Sequence, residues 1–563
     1  MPPLDAFLSR TRIAYLSMEI AFDPAIPTYA GGLGVLAGDT VRAAADLSLP
    51  MVFVTLASRD GYLHQEVSAD GDQLDRLDPW DPADRLEALE AGVAIRIEER
   101  PVWIRAWLRL HQSPTGGCVP VILLDTDLPP NDEGDRRITD RLYGGDLTIR
   151  LKQEAVLGIG GERILRALGF EIVTYHLNEG HAALLPVTML RRHRLADDHP
   201  LDRKLHYDEE PVRAACVFTT HTPLEAGSDR FPYDLVARVL DDFFELDQLR
   251  LLGGADALNM TRLALNLSSR VNAVAIRHAE TTQHMYPGYK VHAITNGVHP
   301  PTWAHPALAK LFDAAAPGWN HNPDLLMRLD RVSDEAIRAA HGQAKADLIS
   351  EAERRCGIAL NPALPIIGFA RRMTGYKRPD LLFSDFSRLR EIAARHPFQI
   401  VMAGKAHPAD IHGKEIIRQI HQHVRELARH LTVAFIPGYD MTLAKTIVSG
   451  CDIWLNNPIP PLEASGTSGM KAALNGIPNF SVLDGWWVEG WEEGVTGWSI
   501  GDSLASGEHA RDLYDKLEST ILPMWHSDQH RWSGIMKSCI ARIGTRFNSI
   551  NMMRRYATEI YLR

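Results

Sequence analysis

The chain has 563 residues, with 60 lysines and arginines against 71 aspartates and glutamates, a net charge of −11, and 45% hydrophobic and 23% charged residues. This is the make-up of a water-soluble globular enzyme, long enough for about two to four domains with sizeable cores. The acidic balance argues against nucleic acid or an anionic membrane as partner, so any phosphate site has to be a local basic pocket.

Short apolar, β-branched runs alternate with helical patterns along the chain. Ile13 begins a first sheet at once, and Tyr29-Ala-Gly-Gly-Leu-Gly34 then precedes a helical stretch from Val35 to Leu47. Glycines before a helix expose amides to an anion, or simply allow a tight packed loop. Further runs are Met51–Leu56, Val119–Leu124, Glu171–Tyr175 and Ala215–Thr220, with an acidic segment over 68–92 that reads as a surface excursion. The strand ends Asn178-Glu-Gly-His181 and Thr220-His-Thr222 offer hydrogen bonds to a polyhydroxylated ligand. Satisfied core histidines are the plainer reading, and His176 and His181 lack the spacing of a zinc helix.

Proline density and lost periodicity over 300–335 mark a crossing into a second domain. There the runs are Leu364–Phe369, Phe398–Ala403, Leu431–Ile436 and Asn479–Leu483. Arg371, Arg372, Lys377 and Arg378 cluster directly after the first, and Lys405 follows the second. At the carboxyl end of a parallel strand such cations suit phosphate. Glu463-Ala-Ser-Gly-Thr-Ser-Gly-Met-Lys471 places a lysine behind small residues at a helix start, suited to a phosphate contact or a Schiff base. Asp484-Gly-Trp-Trp-Val-Glu-Gly-Trp491 and Trp498 read as core fillers or sugar platforms. Residues 535–563 read as an amphipathic helix.

These patterns predict an α/β protein of two Rossmann-like doubly wound domains facing a cleft. The expected divisions are an N-terminal domain over 1–305, a C-terminal domain over 306–535, and a helix over 536–563 packing back on the first. The five scattered cysteines form no disulfide framework or metal knuckle. No apolar run approaches the ~20 residues of a membrane span and no signal peptide is apparent, so the expected location is the cytoplasm. Nucleophile elbows, Walker loops and HExxH helices are absent from the sequence, which leaves metal-free phosphate or glycosyl chemistry.

In chain order, Arg150–Glu154, Asn178–His181, Thr220–Thr222, Thr295–Gly297, Arg371–Arg378 and the lysine loop with Asn475-Gly476 and Leu483-Asp484-Gly485 resemble the α-glucan (glycogen, starch, maltodextrin) phosphorylase family, in its short bacterial and archaeal form. The resemblance implies a glycosyltransferase-B fold and reversible phosphorolysis of an α-1,4-glucan, maltooligosaccharide or short α-glucoside by inorganic phosphate. The product is glucose 1-phosphate, formed with retention. It implies pyridoxal 5′-phosphate on Lys471 as a Schiff base, with the cofactor phosphate exchanging a proton with inorganic phosphate. Ser465, Gly466, Thr467, Ser468, Arg371 and Lys377 would lie at the cofactor phosphate, and Trp303 and Tyr439 beside the cofactor. Arg372, Lys377 and the amides of Gly31, Gly32, Leu33 and Gly34 would hold the substrate phosphate. His181, His221, Asn296, Tyr376, Glu463 and Ser465 would grip the sugar, with Arg372, Lys377, His221 and Lys471 as the catalytic set. Asp440 and Ser468-Gly469 depart from the longer enzymes' pattern. The nucleotide site and phosphorylated N-terminus of animal enzymes have no counterpart, and a homodimer is left open. The competing readings are a sugar-nucleotide glucosyltransferase of the same fold and a non-catalytic glucan-binding relative.

Overall fold

The computed structural model describes residues 3–195, 205–224, 227–501 and 508–562. In the first half the strands are β1 (Ile13–Leu16), β2 (Met51–Leu56), β3 (His64–Val67), β4 (Gln73–Arg76), β5 (Glu87–Ile97), β6 (Arg100–Gln112), β7 (Cys118–Asp125), β8 (Thr174–Asn178), β9 (Cys216–Thr219), β10 (Arg230–Pro232), β11 (Ala257–Asn259), β12 (Arg270–Ala273) and β13 (Val291–Ala293). In the second they are β14 (Ile366–Ala370), β15 (Gln399–Ala403), β16 (Thr432–Phe435), β17 (Ile453–Asn456), β18 (Asn479–Val482) and β19 (Gly497–Ile500).

The second sheet runs β16-β15-β14-β17-β18-β19 and is parallel throughout. This is the doubly wound order, with its switch point between β14 and β17. Its strands are apolar and buried on both faces, as a helix-covered parallel sheet requires. The first sheet runs β13-β12-β9-β8-β1-β2-β7-β6-β5 and is parallel from β13 to β7. Its last two strands are antiparallel. One face of β6 carries Arg105 and Arg109 toward solvent, and a half-solvated strand of that kind alternates polar with apolar. The two α/β units face one another across a cleft, the glycosyltransferase-B arrangement.

The 68–92 segment is not a surface excursion. It holds β4 and the start of β5, and the β3–β4 hairpin reaches across to the second unit. Gln65 donates to the carbonyl of Gly404 at 2.8 Å and accepts from the amide of Gly438 at 3.1 Å. Gln73 pairs with both backbone groups of Ala406, at 3.0 and 2.9 Å.

The last part of the chain divides between the units. Met536, Cys539, Ile540, Ile543 and Phe547 belong to the core of the second, whereas Ile550, Met553, Tyr556 and Ile560 belong to that of the first. Where the chain passes back, Asn548 pairs in parallel with Val298 at the outgoing crossing. A Cβ on Gly297 would lie 2.2 Å from the Asn548 carbonyl carbon, so the two segments touch backbone to backbone. The Tyr561 hydroxyl reaches His176 Nδ1 at 2.6 Å, and the Tyr556 hydroxyl accepts from Asn272 at 2.9 Å.

Candidate active site

A cavity of about 340 Å³ lies between the units, where the carboxyl ends of both sheets converge. On the second unit β17 ends at Asn456, and the chain runs through Glu463 and Ser465 into the Thr467–Leu474 helix. Gly466 makes the turn at φ +87°, a left-handed conformation that favours glycine. The Asp484-Gly485-Trp486 turn braces this loop from behind. Asp484 Oδ2 accepts the Glu463 amide at 2.9 Å, and the Trp486 amide donates to the Ser465 carbonyl at 2.9 Å. A Cβ on Gly485 would stand 2.4 Å from that carbonyl, so the turn needs glycine. Trp486 and Trp487 are fully buried and Trp498 stacks on Trp532, which makes these tryptophans scaffold rather than sugar platforms.

Lys471 projects from that helix into the cavity wall. Among the described residues it has no hydrogen-bond acceptor or carboxylate; its Nζ lies 3.9 Å from the centroid of the Trp303 ring. Burial lowers its pKa to about 8 against the upward pull of Asp39. The Ser465 hydroxyl is buried without a partner, and so is Nε of Arg371. The Ser468 hydroxyl accepts from Trp454 Nε1 at 3.2 Å, and the Tyr439 hydroxyl lies 3.4 Å from the Ala370 carbonyl.

Five cations and two carboxylates line the cavity: Arg371, Arg372, Lys377, Lys405 and Lys471 against Asp440 and Glu463. Arg371 and Lys377 both donate to Oε2 of Glu463 at 2.5 Å, and Arg371 also bonds Asn456 across the switch point. Burial works against the Glu463 charge, but these two cations outweigh it and hold its pKa at about 2. Arg372 has no hydrogen bond or ion pair among the described residues, and its Nη2 lies 3.3 Å from where a Gly31 Cβ would stand. The Lys377 ammonium lies 4.5 Å over the Tyr376 ring. Lys405 donates to the Leu63 carbonyl at 2.9 Å, and Asp440 caps the Met441–Gly450 helix.

From the first unit, Gly31, Gly32 and Leu33 open the Gly32–Asp46 helix at the cavity. The amides of Ala30 and Gly31 are already taken by Oε2 of buried Glu19, at 2.5 and 3.1 Å. Helix geometry leaves those of Gly32, Leu33 and Gly34 for an anion. The expectations for the glycine loop and for the two histidines divide. Gly34 lies outside the wall; a Cβ there would meet Glu19 Oε2 at 2.6 Å, so it permits close packing. His181 also lies outside the wall, turned toward Asp229 Oδ2 at 3.4 Å. His221 does line the cavity. Its amide donates to Glu179 Oε2 at 2.7 Å and its Nε2 lies 2.6 Å from Asn178 Oδ1. Asn178 spends its NH₂ on Ser17, so its oxygen faces the ring and Nε2 carries the proton. Burial depresses the His221 pKa to about 3, leaving the imidazole neutral. Asn296 lines the cavity with a buried, unpartnered Oδ1.

The other predicted residues, including Tyr376, Trp303, Tyr439 and the Ser465–Ser468 run, all line this one cavity. Sequence reasoning missed Tyr29, Tyr62 and Glu19. Tyr29 opens the glycine loop, and that adjacency is its signal in the sequence; Glu19 stands well before the loop and reaches it only through the fold. The described residues contain no metal-binding group of three or more ligands and no helix long and apolar enough to cross a membrane.

Residues 230–496 match the family model for carbohydrate phosphorylases. The chain is 37% identical to a maltodextrin phosphorylase of Thermococcus litoralis, covering 98% of this chain and 70% of that protein. It is 36% identical to a glycogen phosphorylase of Mycobacterium tuberculosis, with 98% and 71% covered, and 34% identical to one of Aquifex aeolicus, with 98% and 86% covered. With its fold, its cavity and these relatives, the chain belongs to the carbohydrate phosphorylase family.

Proposed function

We propose that the protein is an α-glucan phosphorylase, transferring a glucosyl unit from the end of an α-1,4-glucan or maltooligosaccharide to inorganic phosphate, reversibly and with retention, to give α-D-glucose 1-phosphate. The observation that carries the reading is a pair of cations in one cavity, Arg372 and Lys471, that make no ion pair or hydrogen bond among the described residues. A cation left unpaired in a closed site is costly unless a ligand completes it. Two such groups fit two anions.

Lys471 would hold pyridoxal 5′-phosphate, and the free Ser465 hydroxyl, the unpartnered Arg371 Nε and the start of the Thr467–Leu474 helix suit its phosphate. When bound, the cofactor supplies a phosphate that exchanges a proton with the substrate anion. Arg372 and the amides of Gly32 and Leu33 hold inorganic phosphate for attack on the anomeric carbon, and the leaving glycosidic oxygen takes its proton from that phosphate. Asn296 Oδ1 accepts from a sugar hydroxyl. His221, its Nε2–H fixed on Asn178, offers Nδ1 as an acceptor. The Glu463 carboxylate keeps Arg371 and Lys377 in place and excludes water between them. The acting bodies are the units over 1–305 and 306–535, and the site of action is the cytoplasm. Sugar-nucleotide transfer or glucan binding without turnover leaves Lys471 without a role.

The deciding assay incubates the protein with phosphate and a panel of α-glucans and short α-glucosides and scores glucose 1-phosphate. Turnover of a nucleotide sugar with no phosphorolysis would overturn the proposal. Borohydride reduction followed by peptide mass analysis reads the cofactor separately: a pyridoxyl mass is expected on Lys471.

A further inference from the structure

A buried acidic and aromatic assembly adjoins Lys471 and has no part in the reaction above. Asp39, 1% exposed, stands in the Gly32–Asp46 helix of the first unit. Its Oδ2 accepts the indole Nε1–H of Trp303 at 2.8 Å and the backbone amide of His299 at 3.2 Å. Its Oδ1 accepts from Arg42 at 3.1 Å. About two helical turns further on, Asp46 Oδ2 lies 2.8 Å from His299 Nε2, so both carboxylates pin the crossing segment to the same helix.

The second unit grips Trp303 from its other side. Asn475 Nδ2 donates to the Trp303 carbonyl at 2.8 Å and also to the Lys471 carbonyl at 2.8 Å. The indole is therefore fixed at its N–H by one unit and at its backbone by the other, and its face meets Lys471 Nζ. An anionic acceptor on an indole N–H polarises the ring and enriches its face, which strengthens its hold on an ammonium. Removing that carboxylate would leave the buried indole N–H and His299 amide unpaired, take a counter-charge from Arg42, and free the ring to turn.

We propose that Asp39 is a positioning residue for Lys471, acting through the Trp303 indole, so that a helix of the first unit sets the placement of the lysine on the second. The proposal rests on the reading of Lys471 as the cofactor anchor.

The test follows the near-ultraviolet band of the holoenzyme during removal of the cofactor by hydroxylamine. Asp39→Ala is expected to speed the loss roughly tenfold, the scale of a buried donor left unpaired. Asp39→Asn keeps an acceptor for the indole but loses the charge, and should fall between Asp39→Ala and the unaltered protein. Trp303→Phe keeps a ring face without the N–H; in that background Asp39→Ala should add little. An unchanged rate in Asp39→Asn, or full additivity with Trp303→Phe, overturns the proposal, and the isosteric Asp39→Asn carries the test if Asp39→Ala does not fold. Mass analysis of borohydride-reduced protein comes first. Absence of a cofactor mass on Lys471 defeats the cofactor reading alone. Lys471 is then a free amine, and its rate of acetylation by acetic anhydride should change in the same order across the variants; equal rates overturn the positioning role.

Discussion

Lys377 Nζ donates to Oε2 of Glu463 at 2.5 Å inside the cavity wall, and both side chains are buried. Arg371 shares the same oxygen, so a single carboxylate holds two cations that the proposed cofactor phosphate also needs.

Glu463→Gln should therefore leave two buried cations without their counter-charge. The expected loss is about 3–5 kcal/mol in urea unfolding at pH 7, with phosphorolysis down by about two orders of magnitude. The Glu463 pKa is depressed from 4.5 to about 2. Its contribution is thus complete above pH 4.5 and is lost as pH falls toward 2. The stability gap between the variant and the unaltered protein should close over that window.

Gly31 has an extended backbone, φ −165°, that any residue adopts, so Gly31→Ala tests the space beside Arg372 without backbone strain. The added Cβ stands 3.3 Å from Nη2 and moves the guanidinium by a few tenths of an ångström. The KM for phosphate should rise several-fold with the melting temperature unchanged. Arg372→Ala should lower kcat/KM for phosphate by about 10²–10³.

Buried histidines make the protein sensitive to mild acid. Burial depresses His176 to about 3, and His181 and His278 to about 4. A depressed histidine contributes stability that is complete above 6.5 and lost as pH falls through its folded value. Each ring adds a slope of about 1.4 kcal/mol per pH unit in that range. Urea midpoints should fall steeply from pH 6.5 to 4; a flat profile would count against neutral rings.

Gln73 satisfies both backbone groups of Ala406 across the cleft, so Gln73→Ala should cost about 1–3 kcal/mol. Hydrogen exchange should quicken at residues 404–406, with β1 and β2 unaffected. Uniform acceleration throughout would mean that the hairpin is no local clasp.

Much of the second unit was legible in the sequence. The runs at β14, β15 and β16 are apolar, β-branched and continuous, and the cations and the lysine loop follow strand ends in order. Strands β5 and β6 were not legible, because Arg96, Arg100, Arg105 and Arg109 interrupt a half-solvated edge that alternates irregularly. Strand β17, Ile453-Trp-Leu-Asn456, was missed because it has a single β-branched residue and is bounded at once by Asp452 and Asn457. Lys471 announced itself through its small-residue loop. Asp39 did not: it sits in a helix buried nearly all round, and its partner Trp303 lies 264 residues further along the chain. No local pattern records such a pairing.

The side-by-side pairing of Val298 and Asn548 bears on how the cleft can move. Two covalent connections run between the units, and they cross at one place with their backbones in contact at Gly297. A single tether would allow the units to swivel. A two-strand strap resists twisting and leaves flexion about one axis. Opening of the cavity is thereby confined to a jaw-like path on which the Gly32–Asp46 helix start of the first unit and Arg372 of the second return to the same alignment at each closure.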